Sequence, residues 1–114
     1  MIRGIHHVGM NCRDMDKMVA FYCKAFGFSP VDEGFAWEGE PMMDHIVDVK
    51  DSAAKGVMLR AGTCYLELFQ YSAPAPDMPN PKRPYDRGYT HFCVDVTEME
   101  KDIEFLKECG MTFN

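Results

Sequence analysis

Two histidines and a glutamate are the side chains whose types could act together in chemistry: His7 in Ile5-His6-His7-Val8-Gly9-Met10, Glu67 in Tyr65-Leu66-Glu67-Leu68-Phe69, and His91 in Thr90-His91-Phe92-Cys93-Val94. All three stretches alternate with the period of a β-strand, and in each the polar residue falls on the face opposite the apolar ones. His7 opposes Val8 and Met10, Glu67 opposes Leu66 and Leu68, and His91 opposes Phe92 and Val94. Should the apolar faces cover helices, the two imidazoles and the carboxylate face whatever the sheet curves around. Neutral imidazole nitrogen with carboxylate oxygen suits a divalent first-row ion (Zn, Ni, Co, Mn or Fe), whereas Mg and Ca favour all-oxygen shells. The residues alone leave a second reading open, in which the histidines merely recur in a repeated strand and the glutamate is an exposed strand residue.

The elements that must position these groups come as a repeat. Superposing His91 on His7 lays Asp14 on Glu98, Met15 on Met99, Lys17 on Lys101, Val19 on Ile103 and Phe21 on Phe105, so two copies of a strand followed by a helix are expected. In the first copy residues 5–12 form the strand, Asp14 is an N-cap, and Met15, Met18, Val19, Tyr22 and Phe26 share one helical face up to a closing Gly27. Between Val31 and Arg60 the pattern is weaker and reads as two strands, about 34–38 and 44–50, with looser backbone over 51–55. Gly62-Thr63 then turns the chain into a strand over 64–71. Residues 72–88 hold five of the chain's seven prolines, which remove backbone donors and predict an irregular, exposed linker. The second copy has its strand at 89–96 and its helix at 98–109, with Met99, Ile103 and Leu106 as the apolar stripe.

Composition narrows the function class. A chain of 114 residues can bury one core, and a formal charge of −6 argues against a phosphate-backbone partner, which needs clustered positive charge. Nucleic acid and membrane partners are not expected: nowhere does an apolar run approach a spanning length, and the chain reads as soluble and cytoplasmic. The five cysteines form no C-x-x-C pair, sit inside patterned elements and read as reduced thiols. Nucleotide-loop, serine-hydrolase and H-E-x-x-H signatures are absent. Secondary candidates are His6, expected to point into the helix-covered layer or to pair at the sheet edge, and His45, a candidate for substrate contact. Lys82, Arg83 and Arg87 could hold an anionic group, although basic residues in such a loop are usually solvated.

At Ile5-His6-His7-Val8-Gly9-Met10, Phe21-Tyr22-Cys23-Lys24-Ala25-Phe26-Gly27-Phe28, Tyr65-Leu66-Glu67-Leu68-Phe69 and Thr90-His91-Phe92-Cys93-Val94 the chain resembles the vicinal oxygen chelate superfamily, which includes glyoxalase I, epimerases, extradiol dioxygenases, and fosfomycin- and bleomycin-resistance proteins. The resemblance implies an α+β fold of paired βαβββ modules around a metal cleft. It makes residues 1–114 a single domain of that type, with module one at about 1–72, a linker at about 73–88 and a partial module two at about 89–114. It implies His7, Glu67 and His91 as ligands of a divalent metal ion, with Glu67 also the catalytic base. The function it implies is a metal-dependent lyase, isomerase or epimerase of the glyoxalase I type, working on a small oxygenated substrate through a metal-stabilised enediolate. An extradiol-type dioxygenase is one alternative, and a metal-free binder of small molecules lined by Phe35, Trp37 and Tyr65 is the other. The family's fourth ligand, carried at the repeat offset from Glu67, falls beyond Asn114. The expectation is therefore an incomplete version of a longer protein, or an open sheet edge closed by a second copy as a homodimer.

Overall fold

The computed structural model describes residues 1–76, 83–89 and 91–114, which form two compact units, Met1–Pro76 and Asp77–Asn114. The first unit runs β1 (His7–Asn11), α1 (Met15–Phe26), β2 (Ser29–Pro30), β3 (Phe35–Glu38), α2 (Pro41–Val47), β4 (Ala53–Ala61) and β5 (Cys64–Ala73). Its sheet has the order β1-β5-β4-β2, with β3 also on β4. β1 is parallel to β5 and the remaining pairs are antiparallel.

α1 begins and ends where its sequence says. The Asp14 carboxylate accepts from Lys17 N at 3.0 Å, and Gly27 closes the helix in the left-handed region (φ 67°), its N–H returning to Tyr22 O. The helix lies on the apolar face of the sheet, with Tyr22 and Ala25 buried. Beneath it are Leu66 and Leu68, which the period-2 pattern assigns to that side, and their β4 partners Leu59 and Val57, with Leu59 and Leu68 at 0% exposure. Two polar ties fix its position: Met15 N donates to Gln70 Oε1 at 2.8 Å, and Lys55 Nζ lies 3.6 Å from Asp16 Oδ2.

β4 and β5 are one hairpin. Ala61 faces Cys64 across the two-residue turn Gly62-Thr63, whose first position needs positive φ and has glycine at 68°. Four aromatic rings meet over β4 on the face away from α1. Ala54 lies between Trp37 and Tyr71, Gly56 between Phe35 and Phe69, and the ring pairs stand 5.7 and 5.8 Å apart.

Three sequence expectations are corrected here. Residues 44–50 are not a strand; helix α2 occupies Pro41–Val47, and Asp48 ends it in the left-handed region (φ 55°). Pro41 at its first turn has no N–H to leave unpaired, a start signal that outweighs the β-branched Ile46 and Val47. The backbone over 51–55 is not loose, because β4 begins at Ala53. Its low β-propensity Ala-Ala-Lys-Gly start is a strand because small residues there let the flanking aromatic rings close over it. β5 continues to Ala73, so residues 72 and 73 are strand rather than linker.

The second unit contains α3 (Met99–Glu108), as the repeat predicts, with Leu106 buried, although Met99 on the expected stripe is exposed. Glu98 stands where Asp14 stands but makes no side-chain cap; its carboxylate pairs with Lys101 instead. The expected strand 89–96 is not formed over residues 91–96, though exposure alternates there, with His91, Cys93 and Asp95 open and Phe92, Val94 and Val96 partly covered. A strand needs a ladder partner. β1 has β5, and among the described residues the second unit contains no strand to play that part. Of the proline-rich segment, residues 74–76 and 83–89 carry neither helix nor strand; Pro79, Pro81 and Lys82, like Thr90, lie outside the described residues.

Candidate metal centre

The pairing register brings His7 and Glu67 together. β1 and β5 lie side by side with His7 opposite Tyr65 and Gly9 opposite Glu67, so the two side chains stand diagonally on one face of adjacent strands. That face is the one turned away from α1. Gly9 has no side chain to stand between them, and His7 Nε2 lies 3.4 Å from Glu67 Oε2. The imidazole is 43% exposed and the carboxylate 17%, so the pair is reachable from solvent while the carboxylate is largely enclosed.

The separation fits joint ligation. Two donors bound to one ion at about 2.0–2.2 Å stand about 3.0 Å apart in octahedral and about 3.4 Å apart in tetrahedral geometry. A borderline nitrogen and a hard oxygen are the donor set for a first-row divalent ion. Within the first unit, and among the described residues, no third His, Cys, Asp or Glu joins them as a group. His91 belongs to the second unit, where it is exposed.

Of the two places expected for His6 the structure has the second, pairing at the sheet edge, where its carbonyl accepts from Tyr65 N at 3.1 Å. His6 precedes β1 by one residue, so strand alternation does not govern it, and its ring neither enters the helix-covered layer nor stands free. It stacks on Tyr65 with centroids 4.9 Å apart and an interplanar angle of 26°, and its Nδ1 lies 2.9 Å from His7 Nδ1. The contact was invisible in the sequence because alternation sends adjacent residues to opposite faces.

The remaining candidates are accounted for individually. His45 is exposed on α2. Trp37 is 7% exposed, and its indole donates to Ser52 Oγ at 2.8 Å, so it serves packing rather than lining an open cleft. Phe35 is 41% exposed on the same face as the pair. Arg83 is engaged by Asp86 at 2.8 Å and lies over the Tyr85 ring; the Asp86 hydrogen bond holds its pKa above the ordinary arginine value. Arg87 is exposed. Cys12 donates to Phe69 O, and burial, reinforced by Asp14, raises its thiol pKa.

Comparison with known proteins agrees with this architecture. The chain is 27% identical over 113 residues to the uncharacterized protein YwkD of Bacillus subtilis, an alignment covering 97% of this chain and 75% of that protein. Its fold matches a glyoxalase family protein from Bacillus cereus with a TM-score of 0.82 at 16% identity, covering 96% of this chain and 74% of the other. It matches the fosfomycin resistance protein FosX of Listeria monocytogenes, in complex with Mn(II) and 1S,2S-dihydroxypropylphosphonic acid, with a TM-score of 0.63 at 17% identity, over 98% and 73% of the two chains. The chain thus spans about three quarters of the length of these structures, and among its described residues the second unit contributes a helix and no strand. Among the described residues no helix is long and apolar enough to cross a membrane. The family model for the Glyoxalase/Bleomycin resistance protein/Dioxygenase superfamily matches residues 4–114, and the chain belongs to that superfamily.

Proposed function

We propose that this protein is a metal-dependent lyase or isomerase of the glyoxalase type acting on a small oxygenated substrate, with His7 and Glu67 as ligands of a divalent first-row ion and Glu67 as the proton-transfer base. The observation that carries the reading is the 3.4 Å approach of His7 Nε2 to Glu67 Oε2 on the face of the sheet away from α1. The Mn(II) in the Listeria FosX complex supports a divalent ion for a protein of this fold. His91 is proposed as a third ligand because the repeat makes it the equivalent of His7. The bound ion would supply Lewis-acid polarisation of two neighbouring substrate oxygens.

The protein's own groups do the rest. Glu67, reached from the open face and released from any bound ion, would take the proton from the carbon beside the substrate carbonyl and return it to the carbonyl carbon, while the hydroxyl proton passes to the carbonyl oxygen. His7 holds its side of the site without moving a proton. Phe35, exposed on the same face, offers a ring for an apolar part of the substrate. The same reading takes the chain as a homodimer, supported by a β1 that among the described residues pairs on one side only, with β5, and tested by light scattering.

Elemental analysis of protein purified without a histidine tag is expected to find close to one equivalent of a first-row ion after supplementation. Glu67→Gln is expected to keep the fold and to slow exchange of the substrate's carbon-bound proton with solvent deuterium by about 10²–10⁴-fold. A variant that exchanges at the parent rate removes Glu67 as the base, and a parent that takes up no metal removes the enzyme reading.

A further inference from the structure

The geometry points to His6 as a positioning residue that holds the His7 ring through its Nδ1 and so keeps Nε2 turned to Glu67. The inference rests on the proposed role of His7 as a ligand and names the group that aims it.

Two neutral imidazoles whose Nδ1 atoms stand 2.9 Å apart must share one proton, donated by one ring and accepted by the other, because two bare nitrogens repel and two N–H groups clash. Which ring nitrogen of a histidine is free to ligate is set by the hydrogen bond its other nitrogen makes. With Nε2 given to an ion, His7 carries its proton on Nδ1 and donates it to His6 Nδ1, and His6 carries its own on Nε2. No net proton is gained or lost in the pair. His6 can take either role, so it serves His7 with and without the ion.

His6 is itself anchored. Its carbonyl accepts from Tyr65 N at 3.1 Å and from Cys64 Sγ at 3.4 Å, and its ring lies against Tyr65, over which the Arg60 guanidinium stands 5.6 Å from the centroid. The His6 and His7 rings meet edge to face at 5.2 Å and 89°, which leaves the His7 plane little freedom to turn about its bond to the backbone. β5 therefore holds both partners: Glu67 directly, and His7 through Tyr65 and His6.

The test uses the full chain, Zn(II) as the probe and two variants. His6→Phe keeps a ring to stack on Tyr65 and removes the hydrogen bond; His6→Asn puts a polar atom back near the Nδ1 position. Calorimetric affinity for Zn(II) is expected to fall about 10–100-fold in His6→Phe and to recover at least in part in His6→Asn, with thermal midpoints close to the parent in both. In the metal-free parent, nitrogen-15 correlation spectra taken where both imidazoles are neutral are expected to show one of the two residues protonated at Nδ1. In the Zn(II) form that proton is expected on His7. Both residues protonated at Nε2 in the metal-free parent, or unchanged Zn(II) affinity in His6→Phe, overturns the positioning role. A parent that shows the shared proton but binds no Zn(II) refutes His7 as a ligand and this role with it, an outcome distinct from failure of His6 alone.

Discussion

Replacing Ser52 by alanine should destabilise the first unit through one identifiable atom. Ser52 is 1% exposed and its Oγ works in two directions, accepting from Trp37 Nε1 at 2.8 Å and donating to Asp44 Oδ1 at 2.6 Å. Asp44 keeps the backbone N–H groups of Asp51 and Ser52 and stays open to water, so its loss is small. Trp37, 7% exposed between Phe35, Phe69 and Tyr71, is left with a buried indole N–H and no acceptor. An orphaned buried donor costs about 1–3 kcal/mol, or about 5- to 150-fold in the folding equilibrium. With a urea dependence of about 1–2 kcal/mol per molar for a unit of this size, the midpoint should fall by on the order of 1 M. Trp37 is the chain's single tryptophan, so its fluorescence reports unfolding from the perturbed locus. Ser72→Ala, which removes from an exposed residue only a long, part-buried 3.4 Å contact to Ala53 O, is the control and should stay within about 0.5 kcal/mol. In a Trp37→Phe background, followed by circular dichroism, Ser52→Ala should cost distinctly less, since no indole remains to be orphaned. Strict additivity of the two changes, or an unshifted midpoint in the single variant, would refute the reasoning.

The other expectations are narrower. Asp14→Ala removes the cap on Lys17 N and should cost about 1 kcal/mol, read as a lower urea midpoint with unchanged slope. The Asp44 carboxyl is held below its ordinary value, chiefly by the Ser52 hydroxyl and then by the Ser52 backbone N–H. Its contribution is therefore present above the unfolded pKa of 3.8 and lost as pH falls through the folded value; Asp44→Asn should be less stable than the parent at neutral pH, with the gap closing below pH 3.8. The raised Cys12 thiol should react with disulfide reagents more slowly than the exposed Cys93, as peptide mapping after brief labelling would show.

Legibility followed how local the signal was. α1 was readable to the residue because its cap, stripe and terminating glycine are each written within a turn or two. β1 and β5 were readable as alternating strands, and so was the shared face of His7 and Glu67, since period 2 fixes a side without knowledge of the neighbour. Their 3.4 Å approach was not, because it depends on the register His7 opposite Tyr65, which no local pattern encodes. The stretch from Pro41 to Gly56 misled for a related reason: Ile46 and Val47 favour strand locally, while Ala53-Ala54-Lys55-Gly56 becomes a strand only because aromatic rings from two neighbours need small residues between them. The histidine contact between His6 and His7 had no sequence signal, being set by a Tyr65 ring sixty-odd positions downstream of the chain start.

The parallel pairing of β1 with β5 also orders events during folding. The β4–β5 hairpin closes across two residues and can form early, whereas β1 must find a partner that the chain supplies only after α1, α2 and three intervening strands have been passed. Long closures of this kind set the slow step of folding and the first step of local opening. β1 is therefore expected to dock after the hairpin has closed, and His7 would come with it while Glu67 stays on the hairpin. Partial opening would dismantle the candidate centre with most of the first unit still folded, and any ligand bridging His7 and Glu67 would act as a clasp on that one seam, lengthening the life of the closed state far more than it altered the hairpin itself.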